Sequence, residues 1–183
     1  FAQYIMVKGN GQLKIPDGMS WEDACTVGVG YTTVGQSLYQ NLGLPMPGKP
    51  RSPTTPKTVL IHGGSTATGT LAIQCAKLSG MEVITTCSAS NFELVKGLGA
   101  DAVFDYTKPN AAAAIRKYTR DNLKLCFDTV AMASSAQFCA EALTSRSGAR
   151  YHTLQELRCP RRDVRSTVSM AYTVVGEPYT MGP

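Results

Sequence analysis

At 183 residues, 43% of them hydrophobic, the chain has the size and apolar content of a single domain with a buried core, which argues against a disordered polymer. It contains no run of about 18 apolar residues and no basic stretch leading into an apolar signal segment, so a soluble, cytoplasmic protein without a membrane span is expected. The net charge of +5 is modest, and the six cysteines (25, 75, 87, 126, 139 and 159) form neither a CxxC pair nor a Cys/His spacing suited to zinc; most are expected as small buried hydrophobes.

In chain order, Phe1-Ala-Gln-Tyr-Ile-Met-Val7 reads as a strand already under way, and the chain reads as a piece of a longer protein. Ser20-Trp-Glu-Asp23 places a hydroxyl three residues before a carboxylate, which predicts a short helix starting near Ser20 and stopping at the Gly28/Gly30 pair. A second helix is expected from Thr32 to Leu42, with Val34, Leu38 and Leu42 on one face and Gly43 just past its end. Residues 45–56 hold five of the ten prolines and must be a surface loop. From Lys57 onward short β-rich runs at 58–62, 82–86, 102–105, 125–130 and 149–153 alternate with helical stretches at 70–79, 91–98, 111–119 and 134–143. That alternation predicts an α/β fold, a doubly wound parallel (Rossmann) sheet with helices on both faces. The chain ends in a strand-like stretch before Gly182-Pro183.

Six arginines (146, 150, 158, 161, 162 and 165) fall within twenty residues. The run suits an acidic partner or a phosphate-bearing ligand, or is simply a solvated face. Nucleic acid is disfavoured, because no aromatics interleave the arginines.

The chemistry-bearing feature is Gly63-Gly64-Ser65-Thr66-Ala67-Thr68-Gly69, set between the first regular strand and its helix, where a dinucleotide fingerprint belongs. Gly63 permits the tight turn and Gly69 the close packing of helix on strand, and the open amides of the helix start face a pyrophosphate. The middle glycine of GxGxxG is missing, and the hydroxyls of Ser65, Thr66 and Thr68 stand there instead. A site that prefers NADH usually carries Asp or Glu about twenty residues on, to accept from the ribose 2′-hydroxyl. Here the second strand runs into Ser88-Ala89-Ser90-Asn91 with no acid. A 2′-phosphate would meet hydroxyls and amides there, so NADPH is favoured; the same residues also serve as ordinary helix caps.

Four motifs in order carry a resemblance: Gly28-Val-Gly-Tyr-Thr-Thr-Val-Gly-Gln-Ser-Leu-Tyr-Gln40, the 63–69 loop with Thr70, Thr86-Cys-Ser-Ala-Ser-Asn-Phe92, and Gly99-Ala-Asp-Ala-Val-Phe-Asp-Tyr106. They resemble the medium-chain dehydrogenase/reductase superfamily, and within it the trans-acting enoyl reductases of fungal polyketide synthases. The likeness runs from Phe1 through Asp128 and fades in the arginine-rich segment.

The resemblance implies that residues 1–18 are the remnant of a GroES-like catalytic lobe, 19–175 an NADPH-binding Rossmann domain and 176–183 a truncated C-terminal segment. Residues 65–68 would contact the NADPH phosphates, residues 88–91 the 2′-phosphate, Tyr106 the adenosine end, and Thr153 with Leu154 the nicotinamide. Tyr106 reads equally well as a half-exposed aromatic at a strand end. Gly30-Tyr31-Thr32-Thr33-Val34-Gly35-Gln36-Ser37 and Val174-Val175-Gly176-Glu177-Pro178 would border the acyl pocket. Where alcohol dehydrogenases of the superfamily place a zinc-ligating cysteine, this chain has Val29, which resembles the zinc-free branch. The implied reaction is hydride delivery to an α,β-unsaturated thioester held by a polyketide synthase or its acyl carrier domain. No catalytic side chain is assigned. The alternatives are a zinc-free quinone oxidoreductase and a nucleotide-binding fragment inactive by itself.

Overall fold

The computed structural model describes residues 3–7, 9, 12–49, 52 and 56–176. Six parallel strands form one sheet: β1 (Thr58–His62), β2 (Glu82–Cys87), β3 (Ala102–Asp105), β4 (Leu125–Asp128), β5 (Arg150–Thr153) and β6 (Arg165–Val168). Their spatial order is β3-β2-β1-β4-β5-β6, the doubly wound arrangement in which the chain reverses direction across the sheet between β1 and β4. The first five strands fall where the apolar runs predict them. A parallel sheet covered on both faces buries both sides of each strand, so its strands read as short continuous apolar runs.

Helices cover both faces. The helices α1 (Trp21–Gly35), α2 (Ala67–Leu78) and α3 (Phe92–Gly97) flank one face, where Val34, Leu38, Val59, Ile61, Ile73, Val83 and Phe127 make a core. On the other face α4 (Ala111–Tyr118) and α5 (Ala133–Ala142) pack Ile115, Ala136 and Cys139 against Leu60, Ile84, Cys126 and Tyr151. Alternate residues of β1 thus supply opposite cores, as the two-residue period of a strand demands. Five of the six cysteines are buried and all are free thiols; Cys25 is exposed.

Three expectations fail. The helix beginning after Ser20, whose Oγ accepts the Asp23 amide at 3.0 Å, does not stop at Gly28 and Gly30 but runs to Gly35 and on into a π-helix, Gln36–Asn41. Glycine inside a helix costs only about 1 kcal/mol, and at Gly30 its bareness is used: a Cβ there would lie 2.5 Å from Leu71 Cδ1 of α2. Residues 3–7, read as a strand, carry none, while Phe1 and Ala2 lie outside the described residues. The strand-like stretch near the C-terminus is, as far as it is described, a 3-10 turn over Ala171–Val175 that ends at Gly176 with φ +68°; Gly182 and Pro183 also lie outside.

The arginine run is partly built into the fold, while Arg146, Arg158, Arg162 and Arg165 are exposed. Arg150 and Arg165 stand opposite each other on β5 and β6. Arg161 reaches three carbonyl oxygens, of Ala140 (3.0 Å), Leu143 (3.2 Å) and Thr144 (2.8 Å), and pairs with Asp163 at 2.5 Å. The guanidinium occupies the C-terminal end of α5, where free carbonyls and the negative end of the helix dipole favour a cation. Among the described residues no helix is long and apolar enough to cross a membrane.

Candidate functional site

The carboxyl ends of β1 and β4 flank the point where the winding reverses, the usual ligand crevice of such sheets. The chain leaves β1 through Gly63, whose φ of +82° suits glycine; a Cβ there would sit 2.7 Å from both Thr129 Oγ1 and Val130 Cγ2. A Cβ on Gly64 would collide with the Thr85 hydroxyl, and one on Gly69 with the Gly63 carbonyl oxygen. The loop therefore lies flat on β2 while α2 presses on the loop. The amides of Gly63 and Gly64 are consumed in holding it there, donating to Thr86 Oγ1 (3.1 Å) and the Thr86 carbonyl (2.9 Å).

The start of α2 shows which groups remain for a ligand. Thr66 is the N-cap: its Oγ1 accepts the Gly69 amide at 2.9 Å and its carbonyl accepts the Thr70 amide. Two of the first four helix amides are thereby satisfied, leaving those of Ala67 and Thr68. The Ser65 and Thr68 side chains are half-buried, without a hydrogen-bond partner among the described residues. Thr66, read as a phosphate contact, has its hydroxyl committed to the cap and to Thr129, 2.9 Å away.

Thr129 is the residue that sequence reading missed. Its hydroxyl donates to the His62 carbonyl at 2.8 Å, lies 3.0 Å from that of Gly63, and ties the end of β4 to the phosphate loop. A threonine directly after an apolar strand facing the crevice was the available signal.

Asp128 beside it is fully buried and accepts from the amides of Val130 (3.0 Å) and Ala131 (3.1 Å), from Ser135 Oγ (2.6 Å) and from Tyr151 OH (2.7 Å). Burial and this carboxylate push the Tyr151 phenol far above its usual range. The carboxylate is a structural hub that shapes the β4–α5 turn.

At the end of β2, residues 88–91 form a small polar cluster. Ser88 Oγ lies 3.2 Å from Ser90 Oγ and accepts from Asn91 Nδ2 at 3.3 Å; Ala89 and Ser90 are exposed, Ser88 and Asn91 half-buried. On the neighbouring strand Asp105 turns to its own loop, accepting the amide (3.0 Å) and hydroxyl (2.7 Å) of Thr107, which hold its carboxyl below the usual range. Tyr106 is 50% exposed and meets the His62 ring edge-on at 6.2 Å. His62 itself is buried against Phe138, bonded through Nδ1 to Thr86 Oγ1 (2.8 Å); burial lowers its pKa although Asp128 pulls the other way.

Across the crevice, Thr153 ends β5 opposite Asp128 and is fully buried, with Leu154 packed against the first core. From β2 to β5 is three strand spacings, about 14 Å, so residues 88–91, the α2 start and Thr153 all lie along the carboxyl edge of the sheet.

The two stretches read as acyl-pocket borders come together through Gln36. In the orientation that pairs donors with acceptors, its Nε2 donates to the Met170 carbonyl (3.2 Å) and its Oε1 accepts from Thr173 Oγ1 (2.8 Å) and the Val174 amide (3.1 Å). Val34, Gln36 and Ser37 are buried, so they form wall; Gly30, Thr32, Thr33 and Gly35 are half-buried, and Tyr31 and Val174 are exposed. Gly176 caps the 3-10 turn in which Val175 stands, and Glu177 and Pro178 lie outside the described residues.

A family model described as "Zinc-binding dehydrogenase" matches residues 67–151. The trans-enoyl reductase TOXD of Cochliobolus carbonum is 51% identical over 180 residues, 98% of this chain and 60% of that protein. The trans-enoyl reductase resD of Aspergillus sclerotiorum is 47% identical over 196 residues, covering all of this chain and 55% of the relative. Over nearly its whole length the chain is thus similar to proteins named trans-enoyl reductases. It spans little more than half the length of these curated relatives. Among solved structures the fold recurs in the CurK enoyl reductase, with a TM-score of 0.73 at 19% identity over 90% of this chain and 48% of that one. Among the described residues no group of three or more His, Cys, Asp or Glu side chains is placed to hold a metal ion.

Proposed function

We propose that the chain is the cofactor-binding part of an NADPH-dependent enoyl reductase that acts in trans on α,β-unsaturated thioesters carried by a polyketide synthase. The cofactor choice rests on one observation: β2 ends in the hydroxyl and amide cluster at 88–91, and Asp105 next to it is engaged by Thr107. The thioester and the synthase partner rest on the similarity to proteins named trans-enoyl reductases. On this reading residues 19–175 are the NADPH-binding unit, and residues 1–18 belong to a preceding catalytic lobe.

The residues present fit NADPH. Gly64 and Gly69 let the loop lie close enough for the α2 amides of Ala67 and Thr68 to reach a pyrophosphate, with Ser65 and Thr68 adding hydroxyls. Residues 88–91 receive the 2′-phosphate, Tyr106 flanks the adenosine, and Thr153 with Leu154 borders the nicotinamide. The chemistry a bound NADPH supplies is hydride transfer to the β-carbon of the enoyl thioester, with a proton then added at the α-carbon. The task of this chain is orientation: the Gln36-linked wall sets where the acyl group lies against the crevice. His62, held neutral by burial, and His152 are both packed inside the fold, so the proton donor is sought in the remainder of the enzyme.

Side-by-side calorimetric titration with NADPH and NADH tests the cofactor. NADPH should bind at least tenfold more tightly, and Ser90→Asp should erase that preference by setting a carboxylate against the 2′-phosphate. Tighter binding of NADH by the unaltered chain overturns the reading. In the full-length protein, reduction of a crotonyl thioester but not of a quinone is expected.

A further inference from the structure

Two charges of the arginine run face the same cleft. Arg161 is clamped to the end of α5, and Arg150 and Arg165 sit on paired strands. Arg158 and Arg162, by contrast, are exposed and make no hydrogen bond or ion pair with any described residue. Both line one cleft of about 690 Å³, closed on one side by the 156–162 segment and on the other by β6. Its lining includes apolar surface from Leu157, Val164 and Val168 and a single acid, Glu156.

The loop that carries the two cations is held in place. Arg161 anchors it to α5, and the Cys159 amide donates to Ser166 Oγ on β6 at 3.0 Å. The arginines are therefore presented by a fixed segment, and binding an anion there requires little ordering of the backbone.

The cleft has a direction. It follows β6 from Val164 to Val168, four residues or about 13 Å of strand. Its far end, at Thr167 and Val168, is paired with His152 and Thr153, the carboxyl end of β5. That end of the cleft is therefore the one nearer Thr153, which the reading above sets beside the nicotinamide, and Arg158 and Arg162 line the same cleft. The cofactor's own 2′-phosphate is not a candidate occupant: residues 88–91 follow β2, four strand spacings or about 19 Å from β6.

We infer that this cleft takes the phosphopantetheine arm of the thioester substrate, with Arg158 and Arg162 binding its phosphate. The inference rests on the enoyl-thioester reading above. Coenzyme A thioesters and carrier-bound thioesters share that phosphate at the far end of an arm of amide and methylene groups. A guanidinium pair over a partly apolar track matches both portions.

The test has two arms. In the first, calorimetry with this chain compares phosphopantetheine with pantetheine. The phosphate-bearing compound should bind at least tenfold more tightly, and the double variant Arg158→Gln/Arg162→Gln should lose that difference while keeping its thermal midpoint and its affinity for NADPH. Equal binding of the two compounds, or no binding of either, overturns the proposal whether or not the enzyme is an enoyl reductase.

In the second arm, the full-length protein reduces one enoyl group presented on a carrier domain, on coenzyme A and on N-acetylcysteamine, which has no phosphate. The double variant should raise KM about tenfold for the first two, leaving kcat and the third unchanged. A rise confined to the carrier-bound form places the arginines against the carrier's protein surface and overturns the phosphate assignment. Equal loss on all three overturns it too. A wild-type enzyme that binds phosphopantetheine but reduces none of the three contradicts the enoyl-reductase reading and leaves the phosphate site standing on the first arm.

Discussion

The two halves of the sheet are built by different means. Around β1 and β2 the phosphate loop is fixed by backbone amides, bare glycines and threonine hydroxyls, with no ion pair in the loop itself. Around β5 and β6 the chain is fixed by long polar side chains: Arg161 across three carbonyls, His152 between Thr167 and Ser169, and Gln36 across to residues 170–174. The first half tolerates almost no added volume, whereas the second depends on donors finding particular acceptors. Steric damage should therefore dominate on one side, and pH or deletion of polar groups on the other.

The sharpest way to break the first half is Gly69→Val. Its side chain would be driven into the Gly63 carbonyl and the Gly64 backbone, where nothing flexible can yield. A loss of about 3 kcal/mol or more is expected, together with loss of NADPH binding, read by thermal unfolding and titration. An unchanged midpoint would mean that the loop does not lie as close to α2 as described.

The second half should respond to acid. His152 is buried, with Nδ1 2.9 Å from Thr167 Oγ1 and Nε2 3.1 Å from Ser169 Oγ, and burial lowers its pKa to about 4. Below pH about 6.5 the unfolded chain takes up a proton that the folded ring refuses, so stability falls between pH 6.5 and 4 and levels off beneath. The loss amounts to roughly 3 kcal/mol at most. A His152→Gln variant, whatever its starting stability, should show a shallower slope across that window in denaturant titrations. An equal slope would remove His152 as the cause.

Arg161→Ala should cost about 2 kcal/mol, since three carbonyls and Asp163 lose a charged donor. The neighbouring Arg162→Ala should stay within about 0.5 kcal/mol, as surface changes do. Equal effects from the two would erase the distinction between anchor and free cation. Below the Arg161 effect stands Gln36→Leu, expected at about 1 kcal/mol globally, with faster hydrogen exchange confined to residues 170–175. Uniform exchange changes would argue that the link does not act locally.

The same contrast explains what was legible in the sequence. Strands buried on both faces announce themselves as apolar runs such as Thr58-Val-Leu-Ile-His62, and the glycine loop follows directly. β6 is hidden because Arg165-Ser-Thr-Val168 is a half-exposed edge strand embedded in a charged run, with no apolar period to detect. Propensity alone splits the helix at Gly28 and Gly30, because it does not contain the neighbour, Leu71, that gives Gly30 its purpose. Residues 65–68 and 88–91 were visible as candidates by position, whereas Thr129 and the Gln36 link involve partners 63 and 137 residues away that spacing alone cannot bring together.

The π-helix at Gln36–Asn41 has one more consequence. Each residue of an α-helix turns the chain by about 100°, so widening one turn by a residue rotates everything before it relative to everything after. The Leu42 amide reaches back five residues to the Ser37 carbonyl, and Asn41 Nδ2 donates to the Gln36 carbonyl at 2.9 Å. The widened turn works like a gear offset. It lets Leu38 and Leu42 mesh with the sheet while the segment before them keeps its own phase, with Gly30 against α2 and Gln36 aimed at the 3-10 turn. Removing a single residue from that turn should misalign one contact set or the other, making helix phase itself a heritable setting of the crevice.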